Sequence, residues 1–485
     1  MRLIIISILL CGLTFVSCEH RDESQSVKNL FRRKVKPIDR DLNDIRNRGY
    51  IVAVVDNNPT GMFLYRGEPL GFEYELISNY AKHVGLDLKF QITHNIEEGI
   101  NMINKGKGDI LAHNLTITKE RREQIGFTDA HYHIKQVLIQ RKPRGWRDMK
   151  LHEIDESLIR NVIDLINKDV HVRKHSSHVS RLKNLSDEIG GEITIVEDFE
   201  HMETEAVIEM VAKGEIDYTV ADENIAMLMA KRYPILDVNT PISFPQQIAW
   251  GVRDNADSLK ISINKWLRNI KKGSVYNDLY NKYYKNSRRT RDLLRSDFFS
   301  VSGDKISPYD SIIKVAADSL RWDWKLLAAL ISRESRFDAE AESWVGAIGL
   351  MQILPKTAAA YGITNLGDPA MNIMAGMNHL LWLKDRWKHI PDSSEQIRFV
   401  LASYNVGHGH VRDAVKLASK HGSDPLVWKD NVEKFMLLKS NPKYYEDPVV
   451  SFGYCRGNEP VQYVNDILTR FDHYQQLGSV QDSIN

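Results

Sequence analysis

Apolar and polar positions follow two rhythms along this chain, and the change between them falls just before Pro308. In the first part, Tyr50-Ile-Val-Ala-Val-Val55 is an unbroken apolar, β-branched run bounded by Gly49 and by Asn57-Asn58-Pro59, the pattern of a buried strand. Residues 74–84, stopped by Gly85, have helical spacing. Strand-like runs recur at 87–92, 109–112, 136–140, 170–173, 192–196 and 218–221, with helical segments between them. Alternation of this kind predicts an α/β architecture. Residues 259–270 and 275–284 read as helices, and the charged stretch KNSRRTRDLLR (285–295) reads as a connection. Beyond Pro308 strand signals nearly vanish, and 3.6-residue periodicity takes over at 311–320, 324–333, 355–361, 370–387, 395–404 and 411–420. The expected fold class is therefore α/β plus all-α, with folded domains at 41–285 and 308–476, a linker at 286–307 and a tail at 477–485.

The length of 485 residues supports this division, because single hydrophobic cores stop growing at roughly 250–300 residues. A composition 42% hydrophobic and 27% charged excludes a disordered chain and a multi-span membrane protein. A formal net charge of +1 gives no overall field to attract nucleic acid, and no such partner is expected. The N-terminus departs from the average: Met1-Arg2 precedes an apolar run, 3–16, and then Ser17-Cys18. The run is short for a spanning helix of ~20 residues and has the form of a secretory signal peptide. Cys18 after a small residue resembles the lipobox of bacterial lipoproteins, which implies cleavage after residue 17, lipidation of Cys18 and a polar tether over 18–40. Attachment to the outer membrane, facing the periplasm, is the location expected. Cys11 lies in the signal, so Cys455 stands alone in the mature chain; neither a disulfide framework nor a zinc-type cysteine pair is available. No cofactor and no metal are expected.

Candidate chemistry lies in the helical part. Asp323 is a good N-cap for a helix starting at Trp324, in which Leu327, Leu330, Ile331 and Glu334 share one stripe. A carboxylate on an apolar stripe is desolvated, which raises its pKa towards that of a general acid. The alternative is a helix-terminal Glu paired with Arg333 or Arg336 and turned to solvent. Gly346-Ala-Ile-Gly-Leu-Met-Gln352, followed by Pro355, offers glycines for close backbone approach, the Met351 thioether and the Gln352 amide. Ala402-Ser-Tyr-Asn-Val-Gly407 would leave Tyr404 and Asn405 at a helix end, where they suit sugar hydroxyl and acetamido groups. Tyr463 is a fourth candidate.

In this order, Glu334-Ser335, GAIGLMQ with Pro355, SYNVG (403–407) and the Tyr463 region resemble the soluble-lytic-transglycosylase family over roughly residues 308–474. Ser403 and Pro460 are small departures. The resemblance implies a lysozyme-like helical domain acting on peptidoglycan glycan strands, with Ser335, Met351, Gln352, Tyr404, Asn405 and Tyr463 at the substrate. Glu334 would protonate the glycosidic oxygen between N-acetylmuramic acid and N-acetylglucosamine. It would then act as base while the muramic C6 hydroxyl attacks, leaving a 1,6-anhydro end. A lysozyme-type hydrolase using Glu340 or Glu342 is the rival enzyme reading. A lipid-anchored receptor that merely grips glycan is the rival of another class.

In the first half, Gly71-Phe-Glu-Tyr-Glu-Leu76, Gly108-Asp-Ile110, Thr116-Ile-Thr-Lys-Glu-Arg121 and Phe127-Thr-Asp129 resemble the family 3 periplasmic solute-binding proteins over roughly 41–284. That resemblance implies two α/β lobes around a ligand cleft. Arg121 would grip an α-carboxylate, Asp222 would meet an α-ammonium, and Thr116 and Thr118 would line the same pocket. The alternative for Arg121 is a structural ion pair with Glu120 or Glu123. An amino acid or muropeptide effector that closes the lobes and alters access to Glu334 is the regulation expected from joining the two modules.

Overall fold

The computed structural model describes residues 35–478 apart from 59–60, 94, 175, 200–201, 203, 286–291, 294–295 and 301–304. The signal segment and Cys18 lie outside the described residues, and the described residues from Pro37 onward form one compact unit. The stretch expected as tether ends in contact with the body: the Ile38 amide donates to the Asn104 carbonyl at 2.9 Å and Arg40 donates to the Gly106 carbonyl at 2.9 Å.

The first half consists of two lobes. Lobe one is built on strands β1 (Tyr50–Val55), β2 (Phe63–Tyr65), β3 (Glu68–Leu70), β4 (Asp87–Ile92), β5 (Ile110–Thr116), β6 (Gly126–Phe127) and β7 (Tyr132–Ile134). Lobe two uses β8 (Gln136–Arg141), β9 (Asp169–His171), β10 (Thr194–Val196), β11 (Tyr218–Asp222) and β12 (Leu236–Pro241). The chain returns to lobe one with β13 (Gln246–Val252). The main sheets run β4-β1-β5-β13-β6 and β10-β9-β11-β8-β12. In each, the early strands pair parallel and the strands next to the crossings pair antiparallel. The lobes are thus joined by two short crossings, 134–136 and 241–246, where a hinge costs least to bend.

Sequence patterning located most of these strands, β1 and β4 with both ends. The helix expected at 74–84 starts earlier, at Phe72, and stops as expected with Gly85 in the left-handed region at φ 71°. Residues 275–284 divide into an α-helix, Ser274–Tyr280, and a π-helical turn, Asn281–Lys285. Within the expected linker, β14 (Phe299–Ser300) pairs with β2, making a three-stranded sheet β14-β2-β3.

The second half is helical, and its principal elements cross around one core that runs from Ile313 through Leu330 and Phe399 to Ile467. The helix Trp324–Ser335 starts where Asp323 accepts a hydrogen bond from the Lys325 amide at 2.9 Å, and it packs along the C-terminal helix Asn458–Gly478. The β2–β3 hairpin reaches into this half. Leu64 belongs to the helical core, and the Gly67 carbonyl accepts from Tyr474 Oη at 2.6 Å. Arg66 and Gly67 turn the hairpin with φ 52° and 71°, and a Cβ on residue 67 would lie 2.5 Å from Ser332 Oγ. Glycine is required there by the close approach as well as by the turn.

Candidate active site and binding cleft

Glu334 sits in the last turn of the helix Trp324–Ser335, below Leu327, Leu330 and Ile331, which are fully buried. Its carboxyl is partly buried and accepts a short hydrogen bond from Tyr463 Oη, from the C-terminal helix. Burial raises its pKa to about 7, against the opposing pull of the Tyr463 hydrogen bond and the Arg333 charge. Neither neighbouring arginine forms a salt bridge with it: Arg333 pairs with Asp466 at 3.1 Å and Arg336 lies 4.0 Å from Glu68. Glu340 and Glu342 are exposed. Cys455 is buried, and burial pushes its thiol up to about 11, so it is inert.

The companion residues gather here, but mostly to hold each other. Ser335 is buried and donates to the Leu350 carbonyl at 2.8 Å, tying the helix end to the GAIGLMQ loop. Gln352 is left-handed (φ 48°), and its amide nitrogen donates to the Ala341 and Gly349 carbonyls, both at 3.0 Å. Tyr404 Oη donates to the Met351 carbonyl at 2.8 Å, close enough to Glu334 for that carboxylate to help raise the phenol's pKa well above its usual value, after burial. Asn405 is exposed one residue before the end of the helix Ser393–Val406.

Two expectations are corrected. The Met351 side chain is fully buried against Gly376, so the thioether expected beside the substrate faces the core; only the backbone of Met351 takes part, through Tyr404 and Asn372. Of the two glycines in the loop, Gly349 is taken up by the close approach of Asn372 and clears no room for a ligand, whereas Gly346, at φ 81°, has open space beyond it. Arg336, Phe337 and Gln352, none of them glycine, all hold positive φ around Glu334. Such backbone costs of order 1–3 kcal/mol each and persists where surrounding contacts over-determine it, as they do here.

In the first half, Thr116 ends β5, and Thr118 caps the short helix Lys119–Arg122 by accepting from the Arg121 amide at 3.3 Å. The Arg121 guanidinium donates to the Thr116 carbonyl at 2.9 Å and, among the described residues, to no carboxylate at salt-bridge distance. Burial lowers its pKa, and the Asp222 carboxylate on the other lobe opposes that shift most strongly. Asp222 ends β11 opposite Gln136 of β8. It is buried, lies 3.5 Å from His178 Nε2, and its Oδ1 has no hydrogen-bond partner. Gln136 Oε1, Ser176 Oγ and His171 Nδ1 are likewise buried without partners. Sequence reading missed these three, since a strand-initial Gln, a helix-capping Ser and a strand-terminal His carry no distinctive spacing. They cluster at the carboxyl ends of β9 and β11, where open α/β sheets take their ligands.

Comparison with known proteins agrees with this division. The model for bacterial extracellular solute-binding proteins, family 3, matches residues 50–286, and the transglycosylase SLT domain model matches 311–427. A membrane-bound lytic murein transglycosylase F from Desulfosudis oleivorans is 35% identical over 438 residues, covering 90% of this chain and 92% of the relative. The chain belongs to the membrane-bound lytic murein transglycosylase F family. Another member, from Pseudomonas fluorescens strain Pf0-1, is 29% identical over 433 residues, 89% of this chain and 86% of its own length. Among solved structures, an ancestral arginine-binding protein bound to arginine aligns at 24% identity and TM-score 0.40, over 49% of this chain and 99% of that one. An amino acid ABC transporter substrate-binding protein from Streptococcus pneumoniae bound to L-arginine aligns at 19% and 0.42, over 51% and 99%. In this F-family chain the SLT match takes in Glu334, Ser335, Met351, Gln352, Tyr404 and Asn405 and stops short of Tyr463.

Proposed function

We propose that the chain is a peptidoglycan lytic transglycosylase in which Glu334 is both acid and base. The observation that carries this reading is a single carboxyl, raised to about 7, on which Tyr463 and Arg333 act and which no second carboxylate among the described residues joins. A glycosidase that works with two carboxyls needs the second as nucleophile or to activate water. A lytic transglycosylase takes its nucleophile, the muramic C6 hydroxyl, from the substrate. With its pKa raised to about 7, Glu334 can give a proton to the glycosidic oxygen and accept one from the C6 hydroxyl near neutral pH. Tyr463 steadies the carboxylate between these steps. Ser335, Gln352 and Tyr404 hold the surrounding wall, and Asn405, exposed at its edge, is the residue that contacts an acetamido group. Digestion of purified murein followed by mass analysis of the sugar ends tests this. Anhydro ends with wild type and none with Glu334→Gln are expected, and ordinary reducing ends would point to hydrolysis instead.

The Arg121–Asp222 cleft binds a zwitterionic amino acid or the free end of a small peptide, with the guanidinium on the carboxylate and Asp222 on the ammonium. The unpartnered polar atoms around Asp222 support this. Cys18 carries the lipid that holds the protein on the outer membrane. No helix among the described residues is long and apolar enough to cross a membrane. Cys18→Ala should move the protein from the membrane fraction to the soluble periplasmic fraction.

A further inference from the structure

Between the β2–β3 hairpin and the two helices that carry Glu334 and Tyr463 lies a cavity of about 440 Å³, within the size range of small-molecule sites. Its charged lining comes from three guanidinium groups, Arg333, Arg336 and Arg470, and two carboxylates, Glu68 and Asp466. The pairing is uneven. Arg333 uses Asp466 at 3.1 Å, and Arg470 uses Glu68 Oε1 at 2.8 Å while its other nitrogen donates to Ser332 Oγ at 2.8 Å. Arg336 reaches only to 4.0 Å of the same Glu68 oxygen, and its side chain is 73% exposed. A guanidinium offers five donors in a rigid fork suited to a carboxylate. One positive charge and one fork are therefore left over at the cavity, with a second fork, on Arg470, sharing its carboxylate.

We infer that this junction cavity is a binding site for a small polycarboxylate, one carboxylate taken by Arg336 and a second by Arg470 or Arg333. The volume is about fifteen times a water molecule's share of liquid, roughly 30 Å³, which leaves room for a ligand that carries more than one carboxylate. His473 at the wall is held neutral by burial, its pKa lowered to about 4, so it offers a hydrogen bond without adding charge. The site is separate from the Arg121–Asp222 cleft, and it shares Arg333 with the surroundings of Glu334. A ligand there would tie the hairpin of the binding half to the end of the catalytic helix.

Calorimetric titration of the full chain with glutarate tests it, since glutarate lacks the ammonium that Asp222 would require. Saturable binding is expected, weakened about tenfold in Arg336→Gln by loss of a charge-assisted fork. Binding should tighten several-fold in Glu68→Gln, which releases both Arg336 and Arg470, and stay unchanged in Arg121→Met. Arg336 is exposed, so its variant should fold normally. Absence of saturable binding at millimolar glutarate, or equal binding by Arg336→Gln, overturns the inference. So does Arg336-dependent binding of inorganic phosphate with none of glutarate. Competition of glutarate against murein fragments, lost when their carboxylates are amidated, would identify a polymer-borne ligand, and binding without competition would identify a free solute; both are polycarboxylate sites.

Discussion

Around Glu334 the polar side chains are already spent on one another, whereas around Asp222 several keep a buried atom without a hydrogen bond. Tyr463 is committed to Glu334, Tyr404 to the Met351 carbonyl, Gln352 to two loop carbonyls and Ser335 to Leu350. Gln136, Ser176 and His171 each leave a buried atom without a hydrogen bond, and Asp222 Oδ1 has none either, with His178 Nε2 at 3.5 Å beside it. A buried polar atom without a partner costs about 1–3 kcal/mol, which a ligand bond can restore. The first arrangement suits a reaction, where groups must be fixed before charge develops. The second suits a ligand that supplies the missing bonds on arrival. Backbone strain divides the same way: non-glycine residues with positive φ surround Glu334, and none of the four residues in the Asp222 cluster has it.

The largest effect that would break this comparison is at Glu334 itself. Glu334→Gln should lower kcat about 10³-fold or more, because one group serves both proton transfers, while amino-acid binding to the first half is unaltered. Retention of more than a tenth of wild-type turnover would remove the distinction. Next in size, Arg121→Met should weaken binding of an amino acid by roughly 10- to 100-fold, the worth of a charge-assisted fork. Calorimetry with an amino-acid panel reads it directly. Murein cleavage in the absence of amino acid should stay near wild type, so equal losses in both measurements would mean that the two sites are not separate constructions.

A smaller effect sharpens the account of the committed network. Tyr463→Phe removes a donor that favours the ionised carboxylate, so the Glu334 pKa should rise above about 7. The alkaline limb of the pH–rate profile then moves to higher pH. A drop in kcat of about tenfold is expected from the lost positioning. An unshifted limb would mean that Tyr463 only fills space.

How much of this was legible beforehand depended on how local each feature was. The helix Trp324–Ser335 was readable because its cap, Asp323, and its apolar stripe lie within a dozen residues. The bond from Tyr463 to Glu334 joins residues 129 apart, and no periodicity encodes it. Tyr463 sits on a long helix, Asn458–Gly478, that patterning passed over; Pro460 lies in its first turn, where a missing N–H costs nothing. The β2–β3 hairpin was missed for a related reason. Its turn needs positive φ at both central residues, usually signalled by Asn-Gly, and here the pair is Arg66-Gly67. Met351 was misplaced since sequence shows that a side chain is present in a motif but not which way it points. Ordered motifs thus located the catalytic wall, while the polar atoms left unpaired around Asp222 became visible only in three dimensions.

The smallest effect separates burial from function and uses a second carboxyl as its control. Glu73 in lobe one is fully buried, accepts from Trp250 Nε1 at 2.5 Å and is raised to about 8, further than Glu334. Both folded-state pKa values exceed the value near 4.5 of a free glutamate, so the protonated form is favoured by folding. The contribution of each of these two groups to stability is then largest below about pH 4.5. It falls as pH rises, until the folded group also ionises near 7 for Glu334 or near 8 for Glu73, and is level above. For Glu334 the difference is worth up to about 3 kcal/mol at ~1.4 kcal/mol per pK unit. Glu334→Gln should accordingly be more stable than wild type at pH 8 and equal to it at pH 4, as read by thermal melting. Glu73→Gln should behave in the same direction, keeping the Trp250 bond, yet leave the pH–rate profile unshifted because no substrate reaches that sealed position. If Glu73→Gln moved the rate profile as well, partial exposure would no longer separate Glu334, which is half-buried, from the sealed Glu73.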